Sequence, residues 1–293
     1  MLDKLIIGGA VKRIYRDATI ISIRRFKKGL INETYDVKVK NPNKNLVLRI
    51  YPRDLWKARK EQHLYNLINK KTDIPTPKII SVGKNYILLS KIEGEGLPLK
   101  NKALAEEAGS LLAKLHSIKF SYYGWIIGDE IKPKFKKWID FVEYDLNSKL
   151  KNIPAQLKSL KKEIKDIFDE NKGLLGIGVQ PCLLHKDYHS SHILVNNDKI
   201  AGIIDLEWAI AGHNELDIAK SCLWMFEDKP ELEKIFLRGY KKYGLISKEF
   251  NERKKLYRLL TLLSSLSFSY ECGHKKWCIY NLKKLKGELN EYH

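Results

Sequence analysis

Up to about residue 95, the pattern of apolar and polar residues is typical of β-strands. Short runs rich in β-branched and aromatic residues alternate with turn signals such as Asn-Pro-Asn at residues 41–43. The exception is a stretch in which Glu61, Leu64 and Ile68 recur at helical spacing and share one face. We therefore predict a helix over residues 54–69 and strands over residues 19–26, 34–40, 45–51, 78–82 and 86–92.

After about residue 96, apolar residues recur every three or four positions and predict mainly helices. One β-hairpin interrupts them, with Asn196-Asn197-Asp198 as the turn between strands at residues 193–195 and 199–205. The chain is thus predicted to be α+β, with a β-rich part over residues 1–92 and a mainly helical part over residues 93–293. The helices are predicted over residues 102–117, 133–151, 155–171, 214–227, 230–243, 247–270 and 275–290.

The composition is that of an ordinary folded protein and excludes several classes. The 293 residues are 44% hydrophobic and 30% charged, which excludes a mainly disordered or collagen-like chain. No run approaches the ~20 apolar residues of a membrane span, and the first residues lack a signal peptide. Four scattered cysteines do not form a disulfide framework, and Cys272, His274 and Cys278 match no common zinc spacing. A cytoplasmic protein is expected.

The formal net charge of +19 raises nucleic acid or an anionic membrane as partners. However, most of the cations are lysines, spread along the chain and mixed with glutamates, as in residues 161–172. Readers of bases and phosphates favour arginine. We therefore interpret the lysines as a solvated surface and expect neither a membrane nor a nucleic-acid partner. The oligomeric state cannot be read from the sequence.

The segment from Leu183 to Lys220 contains the main candidates for catalytic and metal-binding residues. Asp187 and Asp205 stand at the ends of apolar β-like runs, and the hairpin between them brings these ends together. His192 begins the first hairpin strand. Phosphoryl transfer needs one carboxylate to accept the proton of the attacking hydroxyl and another to hold Mg²⁺ across the nucleotide phosphates. Taken singly, the three residues could instead be turn, cap or packing residues.

Two motifs in this segment resemble those of the aminoglycoside phosphotransferase and choline-kinase-like family, which has the protein-kinase-like fold. The family motif H-x-D-x-x-x-x-N is matched by residues 185–192, and the second Asp motif by residues 203–207. The resemblance implies a bilobed α+β fold with a β-rich N-terminal lobe and a mainly helical C-terminal lobe. It also implies that Asp187 is the catalytic base and Asp205 the principal Mg²⁺ ligand.

His192 departs from the family pattern, because it stands where the metal-binding Asn is expected. An imidazole matches the hard Mg²⁺ ion less well than an amide oxygen. The 2″-phosphotransferase subgroup carries the same substitution in a D-x-S-S-x-H-I-L setting, which residues 190–194 resemble. We therefore interpret His192 as a working metal ligand.

The N-terminal part also resembles this family. Gly29 and Asn32 match the first β-turn, which covers the nucleotide phosphates, although plain turn residues would look the same. Arg49 stands where protein kinases place a phosphate-binding lysine, and Glu61 would be its ion-pair partner. A surface ion pair is the alternative for this pair.

The connector between the lobes is the remaining nucleotide contact that the resemblance implies. Residues 86–94 are similar to the segment that holds the purine through backbone groups, with Ser90 and Ile92 as the contacts. A buried edge strand would have the same pattern. In a motif of the family that follows the second Asp motif in the sequence, Asp217 is expected to be a structural residue at a helix N-terminus. His116 is also expected to be structural.

The resemblance implies a small-molecule kinase that uses Mg²⁺ and transfers the γ-phosphate of ATP or GTP to a hydroxyl group. The acceptor is open between a metabolite and an aminoglycoside, since aminoglycosides are polycationic and the final helices are lysine-rich. Glu207 is either an acceptor contact or a supporting residue. A non-catalytic nucleotide-binding module and a kinase associated with protein or RNA are the alternatives. One aromatic cluster either floors a ring-binding pocket or belongs to the core: Trp208, Trp224, Phe226, Phe268, Tyr270 and Trp277.

Overall fold

The computed structural model describes residues 2–26 and 32–292. The first strands are β1 (Thr19–Arg25), β2 (Glu33–Lys40), β3 (Lys44–Ile50), β4 (Ile79–Val82) and β5 (Tyr86–Ser90). They form an antiparallel sheet in the order β1-β2-β3-β5-β4, which we call the N-terminal sheet. These are the five strands that the sequence pattern predicted, with bounds that differ by at most two residues.

Alternation along β3 places Arg49 in a cleft. Successive side chains of a strand point to opposite faces of the sheet. Leu46 and Leu48 are buried in one apolar cluster with side chains of helix α1 (Leu2–Lys12), whereas Val47 and Arg49 line the cleft on the other face. The pattern did not predict α1, which contains two consecutive glycines, the poorest helix formers after proline.

Helix α2 (Trp56–Lys71) packs beside the N-terminal sheet with the predicted face inward. Glu61, Leu64 and Ile68 are all fully buried, so the helical spacing was interpreted correctly. A carboxylate on this face must be paired, because burial of an uncompensated charge is costly. Glu61 must therefore have buried hydrogen-bond and ion-pair partners, which are described with the site below.

The second part of the chain is mainly helical. In it, α3 (Lys102–Leu115) packs closely against α7 (Pro230–Tyr240), where an added Cβ at Gly109 would lie 2.0 Å from the Phe236 carbonyl oxygen. At Gly239 it would lie 1.9 Å from the Glu106 carbonyl oxygen. Only glycine permits this approach of two helix backbones. The helices are α3 (Lys102–Leu115), α4 (Trp138–Asn152), α5 (Lys158–Asn171), α6 (Asn214–Phe226), α7 (Pro230–Tyr240), α8 (Phe250–Glu271) and α9 (Lys275–Leu289).

The predicted hairpin is confirmed, but the prediction that it is the only β-structure after residue 96 is wrong. Its strands, β10 (Ile193–Asn196) and β11 (Lys199–Ile203), are joined by Asn197 and Asp198 with φ of 48° and 57°, as a tight hairpin turn requires. Short strands of two to four residues also occur, too short for a periodic pattern. They are β6 (Glu95–Gly96), which pairs with β10, and β7 (Gly124–Ile127), β8 (Glu130–Ile131), β9 (Cys182–Leu184) and β12 (Ile210–Gly212), which form a sheet.

Within residues 2–26 and 32–292, no helix is both long enough and apolar enough to cross a membrane.

A buried polar chain ties the helical part together. The indole nitrogen of Trp138 donates to the Tyr257 hydroxyl at 2.8 Å, and that hydroxyl lies 2.7 Å from Nδ1 of His213. His213 is buried, and this burial lowers the pKa of its imidazole to about 3. The ring is therefore neutral in the folded protein at neutral pH.

This neutral histidine predicts a loss of stability in mild acid. Between pH 6.5 and 3 the unfolded chain binds a proton at His213 that the folded protein does not bind, so stability falls as the pH falls. The contribution of His213 to the free energy of unfolding should decrease by about 2 kcal/mol between pH 7 and pH 5. Urea unfolding of wild type and His213→Gln at both pH values tests this, because their difference isolates the imidazole. An equal pH dependence in both proteins would contradict it.

Candidate active site

Asp187 lies in the loop of residues 185–192 that joins β9 to β10, and Asp217 fixes the start of this loop. Asp217, in the first turn of α6, accepts hydrogen bonds from the backbone amides of His185 (2.6 Å) and Lys186 (2.8 Å). Its Oδ2 also lies 3.3 Å from Nε2 of His116. Both Asp217 and His116 are buried. Their contacts fit the structural role expected of them and leave Asp187 free to line the cleft.

Removal of the Asp217 carboxylate should destabilise the protein strongly. Asp217→Ala leaves two backbone amides and a buried imidazole without their acceptor, at a cost of about 3 kcal/mol or more. Urea unfolding measures this free energy. Asp166→Ala is the matched control, because Asp166 forms an exposed pair with Lys162 on α5 and its loss should cost less than about 0.5 kcal/mol. Equal unfolding midpoints for the two variants would contradict the assigned role.

Asp205 follows β11 in an uncommon backbone conformation. Its φ is 71°, in the left-handed region that non-glycine residues rarely adopt. Two buried groups of α2 hold this geometry: the Tyr65 hydroxyl accepts from the Asp205 amide at 3.2 Å, and Glu61 Oε1 accepts from the Leu206 amide at 3.0 Å. The surroundings therefore fix the direction of the Asp205 carboxylate.

Arg49 binds this carboxylate with both terminal nitrogens. The two Arg49–Asp205 distances are 2.9 and 3.0 Å, and Nη1 also lies 3.1 Å from Glu61 Oε1. The Tyr51 hydroxyl donates to the second oxygen of Glu61. Burial alone would raise the pKa of Asp205, but the guanidinium of Arg49 and the nearby His192 lower it. The Arg49–Glu61 pair is thus present, and the bidentate contact to Asp205 is an addition that the sequence did not indicate.

His192 lies between Asp187 and Asp205. Its Nδ1 is 2.9 Å from the backbone carbonyl oxygen of Asp187 and 3.4 Å from the Asp187 carboxylate. Its Nε2 is 3.6 Å from Oδ2 of Asp205. The side chains are only partly exposed, at 27% for Asp187, 19% for Asp205 and 16% for His192. The hairpin therefore brings the two carboxylates and the imidazole together at one side of the cleft.

The donor set of Asp205 and His192 fits a divalent ion. The Asp187 carbonyl accepts the Nδ1 proton of His192, which leaves the lone pair of Nε2 directed towards the Asp205 carboxylate. Mg²⁺ is typically held by one or two carboxylates together with water and substrate phosphates, so Asp205 would be the stronger and His192 the weaker ligand of such an ion.

Lys220 and His189 also contact Asp187, although sequence reasoning missed both. The Lys220 ammonium lies 3.4 Å from Asp187 Oδ1 and donates to the Lys186 carbonyl, and Nε2 of His189 lies 3.5 Å from Asp187 Oδ2. Burial would raise the pKa of Asp187, but Lys220, His189 and His192 lower it well below its usual range. Lys220 lies one turn after Asp217 on the same helix. This spacing places both side chains on the same face of the helix, and it is the sequence signal from which Lys220 could have been predicted.

These residues line a cleft of about 1410 Å³ between the N-terminal sheet and the helical part. The predicted nucleotide contacts Asn32, Ser90 and Ile92 line it as well. Ser90 pairs with Lys78 through its backbone amide and its hydroxyl, both at 2.8 Å. Gly29, the other predicted loop contact, lies outside the described residues. Asn32, Arg49, Ser90 and Ile92 thus share a cavity with Asp187 and Asp205, whereas the predicted Glu61 is fully buried and does not line it.

Glu207 is held by lysines at the edge of the cleft. Its Oε2 accepts from Lys57 at 3.1 Å and from the side-chain amide of Asn32 at 2.6 Å. Its backbone carbonyl accepts from Lys60 at 2.7 Å. Burial lowers the pKa of Lys60 to about 7, with the neighbouring Lys57 acting in the same direction. The charge of Glu207 is therefore already neutralised by Lys57. Lys57 and Lys60 both lie at the edge of the cleft, and the sequence analysis named neither as a candidate functional residue.

The aromatic cluster divides between cleft and core. Trp208, Trp224, Phe268 and Trp277 line the cleft, and Trp208 meets Phe268 edge to face at 5.3 Å. Phe226 is buried against other apolar residues, so for this ring the core alternative is correct. Tyr270 packs against the core from its partly buried position.

Cys272 and Cys278 are half-buried thiols beside the cleft-lining Trp277. Within the part of the chain that the structure describes, they belong to no group of three side chains close enough to share a metal ion. Nδ1 of His274 accepts from the Trp277 amide at 3.3 Å and so caps α9. This segment therefore has an ordinary structural explanation.

Comparison with a sequence model of the phosphotransferase enzyme family gives a match over residues 22–252, which is most of the chain. No sequence relative is found among curated proteins. Solved structures of similar fold include aminoglycoside phosphotransferase APH(4)-Ia, with 15% identity, 98% of each chain covered and a TM-score of 0.80. A mutant of that protein was crystallised with AMP-PNP and hygromycin B.

Two other solved structures have the same fold. A 2″-aminoglycoside phosphotransferase in complex with GDP and kanamycin is 16% identical, covers 99% of this chain and 100% of its own, and has a TM-score of 0.72. A fructosamine-3-kinase homologue from Thermobifida fusca is 17% identical, covers 94% and 98%, and has a TM-score of 0.69. At these identities the likeness shows the fold, and it agrees with the predicted bilobed, protein-kinase-like α+β class.

Proposed function

The chain belongs to the phosphotransferase enzyme family, and from this we propose that it is a small-molecule kinase. It would transfer the γ-phosphate of ATP or GTP to a hydroxyl group of a small acceptor. The observation that carries the proposal is the convergence of Asp187, His192 and Asp205 on one cleft, with 3.4 Å from His192 to Asp187 and 3.6 Å from His192 to Asp205.

The nucleotide is proposed to bind between two lobes, residues 1–92 and residues 93–293. Arg49 lines the cleft beside Asp205 and is the proposed contact for the α- and β-phosphates, with Glu61 as its buried partner. Asn32 and Gly29 would cover the phosphates, and Ser90 and Ile92 would contact the base. Solved relatives carry AMP-PNP in one case and GDP in another, so both purines remain candidates.

Asp187 is the proposed general base. Its carboxylate accepts the proton of the acceptor hydroxyl as the hydroxyl oxygen bonds to the γ-phosphorus and the bond from that phosphorus to the β–γ bridging oxygen breaks, which releases the nucleoside diphosphate. Lys220, 3.4 Å away, keeps this carboxylate oriented and ionised. Asp205 and His192 would hold Mg²⁺, which when bound neutralises charge on the transferred phosphoryl group. The remaining task of the protein is to position the two substrates in line.

The charges beyond Asp187 favour a neutral or anionic acceptor over a polycationic one. Asp145 lies 3.6 Å from Lys149 and 3.9 Å from Lys186, and both ammonium groups lie within 5.3 Å of the centre of the Trp125 ring. Burial lowers the pKa of Lys186 to about 8, with Lys149 and Lys220 acting in the same direction. Two cations thus share one carboxylate here, whereas a polycationic aminoglycoside needs surplus negative charge.

Release of ADP or GDP from the purified protein with Mg²⁺ tests the function and the acceptor class together. The panel holds neutral sugars and polyols, hydroxy acids, and aminoglycosides, each measured against the background of Asp187→Asn. We expect turnover with a neutral or anionic hydroxyl compound, and preferential turnover of an aminoglycoside would overturn the acceptor proposal. Nucleotide binding with no release above background by any compound would favour the non-catalytic module instead.

A further inference from the structure

Two lysine ammonium groups share one tryptophan ring in the wall of the cleft. Lys149 comes from the last turn of α4, and Lys186 directly precedes Asp187 in the catalytic loop. Their ammonium groups lie 5.3 and 4.8 Å from the centre of the Trp125 ring, whose face attracts cations. All three side chains line the cleft, and the lysine side chains are only 21% and 12% exposed. The fold therefore holds two positive charges together beside the proposed base.

Asp145 is the counter-charge that these two lysines share. Its carboxylate lies 3.6 Å from the Lys149 ammonium and 3.9 Å from that of Lys186, which is ion-pair range but longer than a hydrogen bond. Lys220, a further cation of the cleft, contacts the Asp187 carboxylate and donates to the Lys186 carbonyl. Asp187 is therefore already matched by its own cation, and the pair of lysines carries one positive charge more than Asp145 compensates.

The ammonium protons of the two lysines are available to a ligand. Each ammonium has three protons to donate, and within residues 2–26 and 32–292 no side-chain or backbone oxygen accepts one from Lys149 or Lys186 within hydrogen-bond distance. Burial lowers the pKa of Lys186 to about 8 although Asp145 opposes this effect, so the group is still mainly protonated at neutral pH. A buried ammonium is stabilised by a charged acceptor. An oxyanion that enters from the cleft can accept hydrogen bonds from both lysines.

We propose that Lys149 and Lys186 bind an anionic group of the acceptor, either a carboxylate or a phosphate ester, and so select a charged hydroxyl compound over a neutral one. Because Lys186 directly precedes Asp187, an acceptor held here can present one of its hydroxyl groups to the proposed base. Asp145 limits the affinity, since it competes with the bound anion for both ammonium groups. That the bound molecule is the acceptor rests on the proposed function, whereas the binding of an anion does not.

Thermal unfolding of the full chain with methyl phosphate or acetate as the probe tests anion binding. AMP-PNP and Mg²⁺ are present throughout to occupy the proposed nucleotide site, and sodium chloride keeps the ionic strength constant. We expect at least one probe to raise the wild-type midpoint, binding at least about tenfold weaker in Lys149→Gln, and tighter binding in Asp145→Asn.

Lys165→Gln is the matched control for anion binding. The Lys165 ammonium also lies over a ring, 5.2 Å from the centre of Phe168, and contacts the carboxylates of Glu143 and Asp169, but it lies on α5 outside the cleft. This variant should respond to the probes as the wild type does. No midpoint shift in the wild type, equal responses of Lys149→Gln and wild type, or a response lost in Lys165→Gln as well would overturn the proposal.

Selection of the acceptor is measured with pairs of hydroxyl compounds that differ in charge: gluconate with gluconamide, and glycerol phosphate with glycerol. The two pairs separate a carboxylate from a phosphate ester. We expect kcat/KM to be at least about tenfold higher for the charged member of one pair, and Lys149→Gln to remove this preference mainly through a higher KM. Equal or higher kcat/KM for the neutral members would overturn the proposal and leave the kinase function intact. Anion binding at Lys149 without turnover of any compound would overturn the proposed function and leave the anion site intact.

Discussion

Asp187→Asn is expected to lower the turnover number by about 10³-fold, because a general base contributes 10²- to 10⁴-fold to such a reaction. Asparagine keeps the shape of the side chain and cannot accept a proton. The backbone of residue 187 keeps its contacts, an amide 3.3 Å from Nδ1 of His185 and a carbonyl 2.9 Å from Nδ1 of His192. The loop should therefore stay folded, and the loss should fall on the chemical step.

The matched control for this variant is Asp198→Asn, the same chemical change on the same hairpin. Asp198 is exposed in the turn with φ of 57°, a conformation that asparagine also tolerates. Its turnover, nucleotide affinity and thermal midpoint should equal those of the wild type. Turnover of Asp187→Asn at more than a tenth of the wild-type rate with the preferred acceptor would show that Asp187 is not the base.

The low pKa of Asp187 means that, as the proposed base, this residue would accept the hydroxyl proton late in the reaction. Lys220 and the two imidazoles keep the carboxylate ionised at neutral pH, against the effect of its burial. Such a carboxylate is a weak base towards a free hydroxyl. In a loose phosphoryl-transfer transition state, the hydroxyl proton becomes acidic only as its oxygen bonds to phosphorus. Asp187 would therefore mainly orient the hydroxyl until that bond begins to form.

The sequence predicted those parts of the fold that depend on local pattern. The face of α2 with Glu61 follows from helical spacing, and the turn at Asn197 and Asp198 follows from the left-handed conformations that these residue types tolerate. Strands β9 and β12 have three residues each, which is too few for an alternation of apolar and polar residues to be recognised. Such strands form because tertiary contacts select them.

Within the candidate site, the sequence named residues that lie close together in the structure, but it did not name their distant partners. Asp187, His192 and Asp205 could be named together because one hairpin joins them. The contact of Arg49 with Asp205 spans 156 positions, and that of Lys57 with Glu207 spans 150. No local pattern encodes such pairs. His189 illustrates the same limit, since its spacing of two from Asp187 gains meaning only when the 3₁₀ turn of residues 190–192 folds it back.

Asp205→Asn is expected to lower turnover by about 10³-fold, because removal of a group that stabilises transition-state charge typically costs 10²- to 10³-fold or more. Unlike Asp187→Asn, this variant should also change nucleotide binding. An amide carries no charge and binds Mg²⁺ weakly. Asparagine still adopts a φ of 71°, and its oxygen can still accept a hydrogen bond from Arg49, so the fold should persist.

The measurement that separates the two carboxylates is nucleotide affinity with and without Mg²⁺. In the wild type and in Asp187→Asn, Mg²⁺ should strengthen nucleotide binding, whereas in Asp205→Asn the affinity should be independent of Mg²⁺. Asp73→Asn serves as the control, because Asp73 is 72% exposed and pairs with Lys114 on the surface. If Asp205→Asn retained both its Mg²⁺ dependence and its rate, Asp205 would be only the ion-pair partner of Arg49. The catalytic ion would then have to be held elsewhere in the cleft.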